Sequence, residues 1–309
     1  MEKLLDSLMV PPGKKIDLRN DYDPGYIGHF MSKEDGEATT TADIHLMSLQ
    51  QDKLYAQDTY ALLIIFQSMD AAGKDSTIKH VMSGINPQGV QVTSFKVPSV
   101  EELNHDYLWR ACIALPCRGD IGIFNRSYYE EVLVVRVHPE YLVRQHLPRV
   151  CKGKNLWNRR FDEINNFEKY LTNNGIIILK FFLNVSKEEQ KKRFLERVEE
   201  PDKNWKFSAA DINERACFED YMNAYEDVFN HTSTSYAPWY IIPADHKWFT
   251  RLAVVSAICR ALDRLHLAYP KVTSEERKAL FIAKAEMENE GRDPGAGKKP
   301  LKNESGKKS

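Results

Sequence analysis

No apolar run in this 309-residue chain approaches the roughly 20 residues needed to cross a bilayer, and the opening stretch carries Glu2, Lys3 and Asp6 where a secretory signal would be apolar. Cysteine is sparse too. Cys112, Cys117, Cys151, Cys217 and Cys259 are odd in number and scattered, with no C-x-x-C pair and no histidine at zinc-ligand spacing, so they read as reduced packing residues. The chain is therefore expected to be cytoplasmic, without a membrane segment. It also lacks an excess of charge: 43 Lys and Arg against 44 Asp and Glu exclude a dedicated nucleic-acid coat, so any polyanion must meet a local basic patch. No internal repeat is present.

What is there is a chain long enough for a large α/β core, organised around Leu62–Met82, LLIIFQSMDAAGKDSTIKHVM. Leu62 to Phe66 form an apolar run too short for a buried helix, which predicts a central strand of a parallel sheet. Small residues and then a helix follow. At this switch Ser68 to Ser76 has the form of a phosphate loop, whose backbone amides and helix N-terminus face an anion, with Lys74 as a mobile cation. The match to G-x-x-x-x-G-K-[ST] is imperfect, because Ser68 replaces the first glycine and Asp75 the hydroxyl that would bind magnesium. Asp70 is the informative departure. A carboxylate inside a phosphate cradle repels the ligand unless a cation lies between them or it serves the chemistry, so it points to Mg2+ or to acid/base work at the acceptor. The blander alternative is a Gly-Lys helix start with a solvated aspartate.

Around this stretch the pattern predicts a helix from Ser32 to about Tyr55 packing through Leu46, Leu49 and Leu54, and strands at Val90–Phe95, Asp120–Phe124, Gly175–Leu183 and Trp239–Ile242. GIIILKFFL at 175–183 is the most apolar strand and is expected in the middle of the sheet. Helices are expected from Ser99 to about Leu115, over about 127–137, 139–147 and 155–173, and from Trp248 to Leu267. Strands alternating with helices predict a three-layer α/β/α sandwich with a central five-stranded parallel sheet and ligands at the strands' C-terminal ends. Three parts are expected: an N-terminal extension with its helix at 1–55, the main domain at 56–270, and a C-terminal helix with a disordered basic tail from Gly291 at 271–309.

Two further stretches bear on chemistry. Asn125 sits where many phosphate-loop proteins place an aspartate bearing on magnesium, Arg126 follows with a planar fork suited to phosphate, and Glu130 and Glu131 lie close by. Arg126 has an ordinary alternative as an i,i+4 partner of Glu130. From about 187 to 225, Arg193 and Arg197 share a helix face, Pro201 to Phe207 breaks the helix, and Arg215 lies on the returning arm. This is the place for a lid that brings arginines to a transferred phosphoryl group, or for a charged surface hairpin. Trp109, Trp205 and Trp239 are base-stacking or core residues, and His138 is a phosphate ligand or a helix cap.

Together these stretches resemble the family-2 polyphosphate kinases from about Ile16 to Tyr269. The carriers are QSMDAAGKDSTIKHV, NPQGVQVTSFKVPS, HDYLWR, GIFNRSYYEEVLVVRVHPE, ERVEEPDKNWKFSAAD and STSYAPWYIIPADHKW. The resemblance implies a P-loop kinase-like fold with a helical lid, and reversible, Mg2+-dependent phosphoryl transfer from inorganic polyphosphate to AMP and ADP, giving ADP and ATP, with Mn2+ as a substitute. By that resemblance Asp70 and Asn125 hold the metal. Ala71, Ala72, Gly73, Lys74, Asp75, Ser76, Lys79, Arg126, Arg193, Arg197 and Lys206 hold polyphosphate. Asp70, Lys96, Arg110 and Arg126 hold the nucleotide, and Asp70, Lys74, Asn125, Arg126 and Glu130 carry catalysis. Asn125 to Glu130, in place of an Asp-Arg-Ser form, looks like the class III subgroup acting on AMP and ADP. A homodimer or homotetramer, binding neither nucleic acid nor membrane, is implied. The rivals are an ATP-dependent nucleoside monophosphate kinase and a non-catalytic nucleotide-binding module.

Overall fold

A computed structural model describes residues 1–30, 32–206 and 209–290, except for the side chains of Lys203, Lys206, Ala209, Ala210 and Asp211. The tail expected to be disordered from Gly291 and the side chain of Lys206 therefore lie outside the described residues. Contacts divide the chain into Met1–Tyr269 and Pro270–Ser309. In the second unit the helix Ser274–Asn289 is opened by a capping box between Thr273 and Glu276 and buries no residue.

The first unit is built on five parallel strands in the order β2-β3-β1-β4-β5: β1 Ala61–Ser68, β2 Val90–Ser94, β3 Ile121–Asn125, β4 Ile176–Asn184 and β5 Trp239–Pro243. β1 is the central strand, and Leu62 to Phe66 are fully enclosed because helices cover both faces. β4 lies beside it in the interior. β2 is an edge strand whose side chains are half-buried or exposed. At the opposite edge Met9 forms an antiparallel bridge to Tyr240, and the Val10 amide donates to the Trp239 carbonyl at 2.9 Å, so the N-terminal segment covers β5.

The principal helices are α1 Glu2–Leu8, α2 Lys33–Gln57, α3 Lys74–Val81, α4 Leu156–Asn173, α5 Lys187–Glu199, α6 Ala209–Ala216, α7 Phe218–Thr232 and α8 Lys247–Asp263. Ser32 caps α2 through the Asp35 amide, and Thr39, Thr40 and Thr41 each donate to the carbonyl four residues back, so the threonine run stays helical. The face of α2 that packs is not the expected one. Leu54 is buried, but Leu46 and Leu49 are 44% and 46% exposed, and Gly36, Thr40, Met47 and Gln51 take the inner stripe. A Cβ on Gly36 would stand 2.3 Å from the Trp248 ring, so α2 and α8 approach as closely as they do only with glycine there.

Three expected helices are corrected. The helix expected from Ser99 to Leu115 splits into Val100–Leu103, closed by a Ser99/Glu102 capping box, and Trp109–Cys112. Asp106 accepts from the Leu108 amide at 2.9 Å, a local turn that competes with the helix, while His105 stacks on Trp109. The stretch expected as helices over 127–137 and 139–147 is a tight turn, Tyr128–Val132, followed by single turns Val134–Val137 and Glu140–Val143. Tyr128, Tyr129, Glu131 and Val132 are all buried, a pattern that one α-helical face does not accommodate.

Candidate active site

The loop between β1 and α3 opens at the C-terminal edge of the sheet, where Gly73 has φ +101° and Ala71, without glycine's freedom, has φ +62°. Three of the loop's carbonyls are held from α5. Gln190 donates to the Asp70 carbonyl at 3.0 Å, and Arg193 donates to the Ala71 and Ala72 carbonyls at 3.2 and 2.7 Å. In a trans peptide the carbonyl and the following N–H point opposite ways, so the Ala71 and Gly73 amides turn away from α5. Arg193 also donates to the carbonyls of Ala244 and Asp245 and to Glu189, which engages all five of its N–H groups. It lines the cleft as a brace rather than as a free cation.

Lys74 begins α3 with its ammonium 3.5 Å from the Ser68 hydroxyl. Removal from water and the neighbouring Arg126 push its pKa down, against the pull of Asp75, Asp70 and Glu130. Arg126 follows β3 in a left-handed conformation at φ +64°, its amide donating to the Phe66 carbonyl at 3.0 Å. Its guanidinium meets Asp70 at 3.2 Å and Glu130 at 3.6 Å. Burial pushes the Glu130 carboxyl up, although Arg126 and Lys74 favour its ionised form. Asn125 donates to Asp75 at 2.8 Å, which turns its amide nitrogen toward α3.

The segment after β3 is anchored from below by a closed polar cluster. Lys180 of β4 is fully buried and donates to Glu168 of α4 at 2.6 Å, to the Tyr129 hydroxyl at 2.9 Å and to the Thr232 carbonyl at 2.8 Å. The hydroxyls of Tyr128 and Tyr129 both donate to the other Glu168 oxygen, at 2.9 and 2.8 Å. Every proton of the ammonium is used. The cluster fixes Tyr128 and Tyr129, two and three residues after Arg126.

Two cavities meet at Arg126. The larger, about 710 Å³, is lined by Ser68 to Ser76, Asn125, Arg193, Arg197, Trp205 and Lys247. The smaller, about 380 Å³ and mostly apolar, is lined by Leu103, Tyr107, Leu108, Arg110, Glu130 and Val134 among others, and Phe95, Lys96, Val97 and Arg126 belong to both. Arg110 stands over the Phe95 ring and donates to the Lys96 carbonyl at 2.8 Å. In the same wall Arg160 and Glu131 form a buried ion pair at 2.9 Å, with Gln145 donating to Glu131 and Arg160 lying 3.9 Å over the Tyr107 ring.

The structure thus brings Asp70 to Ser76, Lys96, Asn125, Arg126, Arg193 and Arg197 to one cleft, and Arg110 and Glu130 to the cavity beside it. It leaves Lys79 exposed on α3, outside the lining of either. Of the tryptophans, Trp239 is core and Trp205 is an exposed residue of the cleft. His138 is placed with Glu214 and Glu140, at 3.1 and 3.6 Å. Sequence reasoning missed Gln190, Tyr128, Tyr129, Glu168 and Lys180. The lysine inside IIILKFFL was the one available signal.

An anion-facing loop, a lysine, and an arginine joining a cleft lined with charged side chains to a mostly apolar chamber suit transfer of a phosphoryl group between two bound molecules. Residues 30–269 match the family described as Polyphosphate kinase 2 (PPK2). The chain belongs to the polyphosphate kinase 2 family. Membership makes it a phosphotransferase and sets aside the ATP-dependent monophosphate kinase and the non-catalytic module as primary readings. It is 49% identical over 282 residues to the ADP-polyphosphate phosphotransferase of Rhodopseudomonas palustris, covering 90% of this chain and 96% of that protein. It is 40% identical over 274 residues to the AMP/ADP-polyphosphate phosphotransferase of Meiothermus ruber, covering 88% and 98%. The crystal structure of polyphosphate kinase 2 from Arthrobacter aurescens TC1 superposes with a TM-score of 0.80 at 40% identity over 89% of this chain and 95% of that one. Among the described residues no helix is long and apolar enough to cross a membrane.

Proposed function

We propose that this polyphosphate kinase 2 family member moves the terminal phosphoryl group of inorganic polyphosphate onto AMP and ADP, and that the reverse reaction uses the same site. The observation that carries the reading is the shared wall at Arg126. A polyanionic chain lies in the cleft along Lys74 and Arg197, and the acceptor nucleoside enters the 380 Å³ chamber, a size suited to a nucleotide. Their reacting phosphates then meet beside Arg126, Asp70 and Lys74.

The protein's work is positioning and charge neutralisation. The loop amides and Lys74 hold the donor phosphates, Arg126 spans donor and acceptor, and Glu130 fixes the guanidinium. Among the described residues no three His, Cys, Asp or Glu side chains form a protein-only metal site. That fits Mg2+, which keeps waters and substrate oxygens and takes only one or two protein ligands, here the Asp70 carboxylate and the Asn125 amide oxygen. When bound, the metal neutralises phosphate charge. Mn2+ offers the same oxygen chemistry.

Acceptance of both AMP and ADP is supported by the Asn125–Glu130 segment and by the Meiothermus ruber relative, whose name gives both acceptors. ADP alone is the second reading, favoured by the name of the 49%-identical relative. Steady-state assays with polyphosphate and Mg2+ decide between them. Saturable turnover of both acceptors supports the first, and turnover of ADP with none of AMP supports the second. We further infer a cytoplasmic homodimer or homotetramer with a lid over residues 187–225 that closes on the cleft.

A further inference from the structure

The hairpin's returning arm reaches the phosphate loop through one buried amide. Gln190, 1% exposed, donates through Nε2 to the Asp70 carbonyl at 3.0 Å and accepts through Oε1 from Arg215 of α6 at 2.6 Å. Arg215 is itself aimed by a second bond, to the Lys187 carbonyl at 2.9 Å. An amide turned by 180° would set its oxygen against the Asp70 carbonyl. A guanidinium has only donors, so Arg215 holds the amide oxygen on its own side and leaves the NH₂ group for the loop. The same turn of α6 is docked independently, because Glu214 accepts from the Tyr221 hydroxyl at 2.7 Å and meets His138 at 3.1 Å.

We propose that Gln190 and Arg215 are positioning residues for the phosphate loop, a relay by which the docking of α6 sets the backbone of Asp70. Arg193 holds the next two carbonyls whether or not α6 is docked, since its partners lie on the loop, on α5 and after β5. Gln190 is the member whose orientation depends on the returning arm. The loop is therefore fully set only when that arm is in place. For catalysis this rests on the phosphotransfer reading above; for structure it stands alone.

The test is hydrogen exchange of the peptide covering Asp70 to Ser76 in the full-length protein, with wild type, Arg215→Met and Gln190→Met compared. Arg215 is only half-buried, so its variant is expected to melt like wild type. The relay predicts exchange in this peptide about tenfold faster in either variant, equivalent to about 1.4 kcal/mol, with peptides of β3 and β5 unchanged. With polyphosphate and ADP, kcat should fall by about the same factor at unchanged nucleotide KM, and the double variant should be no worse than the worse single one. Unchanged loop exchange in folded Arg215→Met, or losses that multiply in the double variant, would overturn the relay. A wild type without polyphosphate-driven turnover would overturn the functional reading, while the exchange data would still decide this one.

Discussion

Two polar groups, joined in sequence through the segment Arg126 to Tyr129, differ in how completely they are satisfied. Beneath the site, Lys180, Glu168, Tyr128, Tyr129 and the Thr232 carbonyl form a closed set in which every ammonium proton has a partner. In the cleft, Asp70 and Arg126 keep 33% and 42% of their side chains exposed, and Lys74 has one long contact to a hydroxyl. The first group is finished without a ligand; the second is assembled around a place where negative charge is expected. Buried charge that is saturated holds a fold in place, whereas charge held half in water with bonds to spare is available for a substrate.

The sharpest break in this comparison is Lys180→Met. It strands the Glu168 carboxylate in the core and should cost about 3–5 kcal/mol in urea unfolding, part of which Lys180→Met with Glu168→Leu should recover. Lys74→Ala and Asp70→Asn should do the reverse, lowering kcat/KM by about 10²–10³-fold with unfolding unchanged. A Lys180→Met protein of wild-type stability would show that saturation was misjudged. Full turnover in Lys74→Ala would remove the cleft assignment.

The pH dependence of kcat/KM sharpens the comparison further, since it reports groups of the free enzyme. Lys74 is held below the ordinary lysine value of 10.5, so its cationic form is lost at lower pH than usual as pH rises. Glu130 is held above the ordinary 4.5, so its ionised form is lost at higher pH than usual as pH falls. Both limbs should therefore lie inside the span 4.5 to 10.5, and Lys74→Arg should move the alkaline limb outward in whatever activity remains. The smallest effect belongs to the outer face of α2. Leu49→Ala should change stability by no more than about 0.5 kcal/mol. Leu54→Ala, in the core, should cost about 2–5 kcal/mol.

The parallel sheet and the loop at Lys74 were legible because an apolar run of strand length followed by small residues and Gly-Lys leaves few other structures. The strand order and the bracing of the loop were not. Hydrogen bonds from Gln190 and Arg193 go to backbone carbonyls, which carry no residue identity for a pattern to record. Arg193 was expected as a phosphate ligand through the family resemblance, and the engagement of all its N–H groups by protein acceptors is visible only in three dimensions. The helix expected over 99–115 failed where Asp106 captured a backbone amide, a competition decided by one side chain. On α2, Leu46 and Leu49 looked like core because helical phase is poorly marked where Gly36, Thr40 and Gln51 share the buried stripe.

The central claim is that polyphosphate is the donor, and phosphorus NMR of the protein with Mg2+, long-chain polyphosphate and AMP, in the absence of ATP, tests it most directly. The account predicts that the chain-interior phosphate signal falls while ADP and then ATP appear. No transfer to AMP or to added ADP, with phosphoryl transfer appearing once ATP is supplied, would contradict it.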